Sequence, residues 1–189
     1  MAGLDVLGIA GSLRRESHNR ALLRLARDAA PAGVRISVWE GLGGIPLYDG
    51  DVEARGFPQP VVEMADAMRA AGAVLVVTPE YSHSVPGVLK NALDWAARPP
   101  GKSPLRGKVV AIAGASSGAM GTVRAQADLR RVLAAMGAFV VPGPDVLVAN
   151  AQDKRGPDGS FTDEATRTHL ARLLAEIPRW VERLAGPGR

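Results

Sequence analysis

Residues 73–78 have the sequence AVLVVT, and this stretch decides the fold. Five apolar residues in a row, with no alternating polar residue, are typical of a strand buried on both faces, as in a parallel sheet. Gly72 precedes the run and Pro79 follows it, so turn signals bound it on both sides. We therefore predict a central strand of a parallel sheet here.

Strands and helices alternate outward from this central strand. Further strands are predicted at 4–10, 34–38 and 109–113, with two short pieces at 138–141 and 146–148. Apolar residues spaced three and four apart predict helices whose buried stripes start near residues 22, 61, 89, 129 and 170. The alternation predicts an α/β, flavodoxin-like three-layer sandwich with a five-stranded parallel sheet.

Two long connections and one proline complete this interpretation. Residues 40–60 and 150–162 are predicted to be loops because both are rich in polar and turn-forming residues. Pro178 lies within the last helical stripe and is expected to kink or interrupt that helix. At about 150 residues per domain, the 189 residues predict a single domain spanning 1–189.

Composition and charge exclude several classes of protein. The chain has no cysteine and only three widely spaced histidines, so we expect no metal site and no thiol nucleophile. The net charge is +4, yet the only dense basic stretch lies at 14–27 and aromatic residues are few, so no nucleic-acid partner is predicted. No apolar run of membrane-spanning length and no leader sequence are present, which predicts a cytoplasmic protein without membrane contact.

The loop after the first strand has the composition of a phosphate site. Residues 11–19, GSLRRESHN, lead into a helix N-terminus, whose N–H groups and dipole favour an anion. Ser12, Ser17 and Asn19 add neutral polar groups, and Arg14 adds a guanidinium fork. The loop matches neither GxGxxG nor GxxxxGK[ST], so a phosphate monoester is favoured over a dinucleotide or triphosphate. The alternative is an ordinary Ser17 N-cap with solvated arginines.

The loop after the third strand carries polar groups suited to the edge and face of a flat ring. Pro79 stiffens the turn, and Glu80, Tyr81 and Ser82 follow it with backbone and side-chain polar groups. His83 is either a surface imidazole or a substrate contact. This loop is therefore a second candidate wall of a ligand site.

The loop after the fourth strand is made of small residues. Residues 114–121 have the sequence GASSGAMG, in which Ser116, Ser117 and Gly118 would let the backbone approach a ligand closely. The alternative is a tight strand-to-helix turn with Ser117 as a cap. In a doubly wound sheet all three loops lie at the carboxyl ends of the strands, where ligands bind.

Three motifs in these loops resemble the NADPH-dependent FMN reductase family. They are GSLRxxSxN at 11–19, PEYxxSxPGxLKNxxDW at 79–95 and GASSGxxG at 114–121, and the resemblance covers about residues 4–148. The family includes quinone, chromate and azo-dye reductases of flavodoxin-like fold. The resemblance implies FMN as cofactor, NADPH or NADH as electron donor, and a homodimer or homotetramer.

The resemblance also implies roles for individual residues. Ser12, Arg14, Ser17 and Asn19 would hold the FMN phosphate, Pro79, Glu80, Tyr81 and Ser82 would line the flavin ring, and Ser116, Ser117 and Gly118 would lie against its other side. The family commonly has Asn where this chain has Ser82. The shorter side chain either loosens one flavin contact or widens access for substrates.

The chemistry expected from these residues is carried by the cofactor, because the chain offers no thiol or metal cluster. No catalytic side chain is predicted beyond possible substrate contacts of Tyr81 and His83. The predicted reaction is a ping-pong transfer of electrons from NAD(P)H to a small-molecule acceptor such as a quinone, chromate, an azo compound or free flavin. The alternatives are a flavodoxin-like electron carrier or flavin-binding regulator, and a non-flavin binder of phosphate ligands or nucleic acid.

Overall fold

A computed structural model describes residues 3–186 of the chain, and its centre is a parallel sheet. The strands are β1 (Leu4–Ala10), β2 (Val34–Trp39), β3 (Ala73–Val77), β4 (Val109–Ala115), β5 (Phe139–Val140) and β6 (Val146–Val148). Their order is β2-β1-β3-β4, followed by β5 and β6 along the outer edge of β4. This order is that of flavodoxin-like sheets, and the prediction of an α/β, flavodoxin-like fold is confirmed. Residues 1–2 and 187–189 of the predicted domain lie outside the described part.

Helices cover both faces of the sheet. They are α1 (His18–Asp28), α2 (Gly50–Arg55), α3 (Gln59–Ala70), α4 (Gly87–Ala96), α5 (Val123–Ala135) and α6 (Glu164–Ala185). The buried stripes of α1 and α6 pack on one face, and those of α3, α4 and α5 pack on the other. Every residue of β3 is at most 1% exposed, because both faces of this central strand are covered.

The fifth position of the sheet is shared by two short strands, as the sequence predicts. β5 pairs with Val109 and Val110, and β6 pairs with the last three residues of β4. Pro142 and Pro144 separate the two pieces. Proline has no backbone N–H to donate to the ladder, so a continuous strand cannot form across this segment.

Three details differ from the sequence-based expectations. The predicted loop at 40–60 contains a 3-10 turn at Gly41–Gly44 and α2, which starts at an N-cap where the Asp49 side chain accepts from the Asp51 N–H. The loop at 150–162 contains a 3-10 turn at Ala151–Lys154.

Of the kink or interruption predicted at Pro178, the interruption is wrong, because α6 continues through this residue to Ala185. An internal proline costs a helix roughly 3 kcal/mol. Ile177 is fully buried just before the proline, and Trp180 and Val181 pack against the same core just after it. Burial on both sides of Pro178 offsets the lost hydrogen bond and keeps the helix continuous.

None of the helices within residues 3–186 combines the length and the apolar character needed to span a bilayer.

Candidate functional site

A cleft of about 250 Å³ lies at the carboxyl ends of β1, β3 and β4. The three loops singled out in the sequence all contribute to it. Its lining consists of Ser12, Arg14, Ser17, His18, Asn19, Pro79, Glu80, Tyr81, Ala115, Ser116 and Ser117. The chain runs from β1 to β2 on one side and β3 lies on the other, so the cleft sits at the point where the strand order reverses. Such switch points are where open α/β sheets bind ligands.

The first loop presents hydroxyl groups and a guanidinium at the N-terminus of α1. Ser17 is the N-cap, and its Oγ accepts hydrogen bonds from the backbone N–H of Asn19 (3.1 Å) and Arg20 (3.4 Å). Oγ acts only as acceptor in these bonds, so its own hydrogen can still be donated into the cleft. Ser12 is buried, and the exposed Arg14 lines the cleft mouth. The N-cap role and the predicted phosphate role of Ser17 are therefore compatible.

Asn19 fastens the first loop to the third. Its side-chain Nδ2 donates to the Ala115 carbonyl oxygen (2.8 Å), and its Oδ1 accepts from the Ala115 N–H (2.9 Å). Asn19 is 2% exposed, so this pair of bonds is shielded from water. The amide therefore sets the spacing between the two walls of the cleft, a positioning role that sequence alone did not indicate.

The second loop contains a tight turn with an unusual backbone. Ser82 and His83 have φ values of 48° and 64°, and the N–H of Tyr81 and that of Ser84 each donate to the other residue's carbonyl oxygen (3.1 and 3.0 Å). Two consecutive residues with positive φ are the requirement of a type I′ turn, which favours Asn and Gly at its centre. The Asn that the family commonly has at position 82 suits this backbone better than serine.

We therefore expect Ser82→Asn to stabilise the fold. The left-handed backbone region is less strained for asparagine than for serine. The free energy of unfolding should therefore rise by up to about 1 kcal/mol. Urea unfolding followed by circular dichroism measures the change. The matched control is Ser82→Val, whose β-branched side chain should lower the stability. Equal stabilities of the two variants would contradict the turn geometry.

Glu80 uses its carboxylate to join the second loop to α5. One of its oxygens accepts from the backbone N–H of Arg124 (2.9 Å) and of Ala125 (3.1 Å), at the helix N-terminus. Burial by itself raises the pKa of Glu80, but these backbone hydrogen bonds and the Arg124 guanidinium outweigh it, so the pKa lies below its ordinary value of 4.5. The side chain is 8% exposed. Glu80 thus lines the cleft, while its charge fixes the loop to the helix.

We predict that Glu80→Gln lowers the free energy of unfolding by about 1–3 kcal/mol at pH 7, the worth of hydrogen bonds to a charged group. A lowered folded-state pKa contributes stability that is fully present above pH 4.5 and is lost as the pH falls further. The gap between Glu80→Gln and the unmodified protein should therefore close in acid. Urea titrations between pH 7 and pH 3 test this, with the exposed Glu63→Gln as control. A gap independent of pH would refute the assignment.

The side chains of Tyr81 and His83 lie on different sides of the second loop. The Tyr81 hydroxyl lies 3.3 Å from Ser12 Oγ and so spans the cleft from the second loop to the first. His83 is absent from the lining, and its Nδ1 accepts from the Arg124 guanidinium (3.2 Å) on the outer side. Of the two possible substrate contacts, only Tyr81 faces the cleft in this structure.

The third loop supplies a wall of small residues. Ser116 and Ser117 line the cleft, and Ser116 Oγ accepts from the Gly118 N–H (3.1 Å). Gly118 and Ser82 are the two predicted cofactor-binding residues that are not part of the lining. The flavin contacts of all the predicted residues, inside and outside the lining, remain predictions. A Cβ added at Gly118 would meet nothing closer than Ser116 Oγ at 3.6 Å. No other protein atom therefore fills the space beside the Gly118 Cα.

Two residues of the cleft region were missed in the sequence. His18 lines the cleft, and Arg155 reaches it from the 150–162 segment. The Arg155 guanidinium donates to His18 Nδ1 (3.1 Å) and to the Glu16 carbonyl oxygen (3.3 Å). Burial, followed by the charges of Arg155 and Arg14, lowers the pKa of His18. The position of His18 directly after the Ser17 N-cap was a usable signal, whereas nothing in the sequence pointed to Arg155.

The fold and the cleft define an α/β protein with a polar cleft at the switch point of a flavodoxin-like sheet. The family model described as NADPH-dependent FMN reductase matches residues 4–153, and the chain belongs to this family. The resemblance drawn from the three motifs is thereby confirmed.

Individual relatives cover almost the whole chain. The chain is 44% identical over 183 residues to an NAD(P)H-dependent FMN reductase of Pseudomonas aeruginosa, with 97% of this chain and 98% of the relative covered. It is 39% identical to a quinone reductase of Escherichia coli, with 96% and 97% covered. Among solved structures, the flavoenzyme NAD(P)H:(acceptor) oxidoreductase FerB of Paracoccus denitrificans has a TM-score of 0.85 at 33% identity, covering 95% and 98%.

Proposed function

We propose that this protein is an FMN-dependent oxidoreductase that passes electrons from NADPH or NADH to quinones or other small acceptors. The observation that carries the proposal is the convergence of the three loops on one cleft at the switch point. The relatives support the proposed reaction, since they are an FMN reductase, a quinone reductase and an NAD(P)H:(acceptor) oxidoreductase. Chromate, azo compounds and free flavin are further acceptors of the proposed enzyme.

The first loop fits the phosphate end of FMN. Ser12 and Ser17 offer hydroxyl donors, Arg14 offers a guanidinium, and all three line the cleft at the N-terminus of α1. A helix N-terminus favours a phosphate because its N–H groups and dipole are positive. Arg14 is the arginine among the lining residues and supplies the positive charge for this anion.

The second and third loops fit the two sides of the flavin ring. Pro79, Glu80 and Tyr81 form one wall, and Ser116 and Ser117 form the other. The open space beside Gly118 would admit a ring edge that a side chain there would block. When bound, FMN supplies the redox chemistry by accepting a hydride from NAD(P)H and giving electrons to a second substrate.

Protein side chains position and shield the reaction in this proposal. Asn19 holds the loop walls through two buried hydrogen bonds and Glu80 through bonds to the N-terminus of α5, so the cleft is pre-formed. Tyr81, half exposed at the cleft, is the side chain placed to give a proton to a reduced quinone. Water is the alternative donor. His83 is disfavoured because it points to Arg124.

We propose that the bound flavin has one face open to both substrates. This implies ping-pong kinetics, since the first product leaves before the acceptor enters. Initial rates measured with the FMN-loaded protein, varying NADPH at several fixed quinone concentrations, should give parallel double-reciprocal lines. Intersecting lines would mean that both substrates are bound at once and would contradict a shared face.

We also propose that the chain acts as a single domain assembled into a homodimer or homotetramer. The last helix, α6, packs on the same sheet face as α1, which supports one folding unit. Tyr48 and Phe57, both more than a third exposed, pack against the Trp95 ring beside the 83% exposed Leu47, and a contiguous apolar patch of this kind favours coverage by another copy. Light scattering of the purified protein measures the assembly.

A further inference from the structure

The 150–162 segment reaches the first loop of the cleft through one side chain, Arg155. Its Nε donates to the Gly159 carbonyl oxygen (2.6 Å) within the segment, and its Nη1 donates to the Glu16 carbonyl oxygen (3.3 Å) in the first loop. Phe161, whose backbone pairs with that of Arg155, is buried and anchors the segment in the core. The protein therefore holds the guanidinium in place before any ligand binds.

The same guanidinium fixes the tautomer of His18. Arg155 Nη1 lies 3.1 Å from His18 Nδ1. An arginine side chain carries only donors and stays protonated, so Nδ1 must be the acceptor in this bond. An imidazole whose Nδ1 accepts is neutral and carries its proton on Nε2. Burial and the charges of Arg155 and Arg14 lower the pKa of His18, which favours the same neutral form.

The remaining ring donor of His18 is available to a ligand in the cleft. His18 is the first residue of α1 and lines the cleft together with Ser12, Arg14 and Ser17. Within residues 3–186, no protein group accepts from the Nε2–H, because the one hydrogen bond of the ring is made at Nδ1. A donor without a protein partner, at the end of the cleft proposed for the phosphate, is suited to a phosphate oxygen.

We propose that His18 is a further FMN-binding residue, whose Nε2–H donates to a phosphate oxygen, and that Arg155 is the positioning residue that keeps this proton on Nε2. The proposal rests on the proposed function, in which FMN occupies the cleft. His18 occupies a variable position of the GSLRxxSxN motif, and Arg155 lies beyond residue 153, where the match to the family model ends. The pair is therefore a feature of this chain and not of the motifs.

Nitrogen-15 NMR of the histidine-labelled protein without FMN tests the tautomer. The chain has only two other histidines, His83 and His169, so the signals of His18 can be assigned by substitution. His18 should show a protonated Nε2 and an unprotonated Nδ1, and Arg155→Met should give a mixture of tautomers. The control is Arg172→Met, the same change at an exposed arginine of α6, which should leave the His18 signals unchanged. A protonated Nδ1, or identical His18 signals with and without Arg155, would overturn the positioning role.

Fluorescence titrations with FMN and riboflavin test the phosphate contact. His18→Phe keeps a ring but has no donor, so it should weaken FMN binding by about tenfold, as loss of a hydrogen bond to a charged group predicts. His18→Gln keeps an N–H donor at the position of Nε2 and should stay within about threefold of the unmodified protein. Riboflavin lacks the phosphate, so its affinity should be the same in all three proteins. Unchanged FMN binding by His18→Phe, or an equal loss with riboflavin, would overturn the contact.

A double variant shows whether Arg155 acts through His18. Arg155→Met should weaken FMN binding in the unmodified protein but should add nothing in the His18→Phe background. Equal losses in the two backgrounds would mean that Arg155 acts on the phosphate by itself and would overturn its positioning role.

Inorganic phosphate separates this proposal from the proposed function. Failure of the unmodified protein to bind FMN would overturn the proposed function. Phosphate added to the labelled protein would still decide the role of His18. A saturable shift of the His18 Nε2 signal, with the signals of His83 and His169 unmoved, would uphold it, and the absence of a shift would overturn it.

Discussion

Gly114→Ala should destabilise the protein by about 3 kcal/mol, because the close approach of β3 and β4 at this point leaves no room for a methyl group. A Cβ at Gly114 would overlap the Thr78 carbonyl oxygen and Thr122 Oγ1, and would lie 2.9 Å from Thr122 Cβ. Both threonines are completely buried, and the Thr78 N–H is tied to the Ala113 carbonyl oxygen at 2.9 Å. Thr122 Oγ1 also accepts a buried hydrogen bond from Gln126 Nε2 (2.9 Å), so neither neighbour can move aside without the loss of a buried hydrogen bond.

The matched control for Gly114→Ala is Gly118→Ala, four residues further along the same loop. Its added Cβ meets only Ser116 Oγ at ordinary contact distance, so the change should stay within about 0.5 kcal/mol. Thermal and urea unfolding of the protein without added FMN measure both variants. Similar stabilities for the two variants would show that the strands are not in the close contact described.

Arg14→Ala should weaken FMN binding about 10- to 150-fold, the equivalent of roughly 1.5–3 kcal/mol for a hydrogen bond to a charged group. Arg14 lines the cleft beside the N-terminus of α1, where the phosphate is proposed to bind. The side chain is exposed and its removal leaves no cavity, so stability without FMN should hardly change. Fluorescence titration of FMN into the FMN-free protein measures the affinity.

The neighbouring Arg15 supplies the control for this prediction. Arg15→Ala makes the same change in net charge one residue away, but Arg15 is not part of the cleft lining. Its effect on FMN affinity should stay below about threefold, because an exposed charge is screened by solvent and salt. Equal losses in the two variants would indicate a general charge effect and would remove Arg14 from the phosphate site.

The sheet was predictable because its signals are local and strong. The AVLVVT run is the fully buried β3, and the alternation of strands and helices predicted the parallel sheet with helices on both faces. The sequence could not decide between a kink and an interruption at Pro178, because the packing of Ile177 and Trp180 against the core depends on tertiary contacts that helix propensity does not contain.

The location of the site could be predicted from the sequence, but the contacts of several of its residues could not. Motif residues such as Ser12, Arg14 and Tyr81 do meet in one cleft. The side chains of Asn19 and Glu80 instead make hydrogen bonds that join distant elements, to Ala115 and to α5, and only the three-dimensional structure reveals such pairings. The contact of Arg155 with His18 could not be predicted for the same reason, since the two residues are 137 positions apart in the chain.

A visible spectrum of the purified protein, followed by anaerobic addition of NADPH, tests the central claim most directly. We predict a flavin absorbance band, present as purified or after incubation with FMN, that NADPH bleaches and a quinone restores. A bound flavin that neither NADPH nor NADH bleaches would contradict the oxidoreductase and favour an electron carrier or flavin-binding regulator. A protein that stays colourless with added FMN would contradict the assignment of the cleft itself.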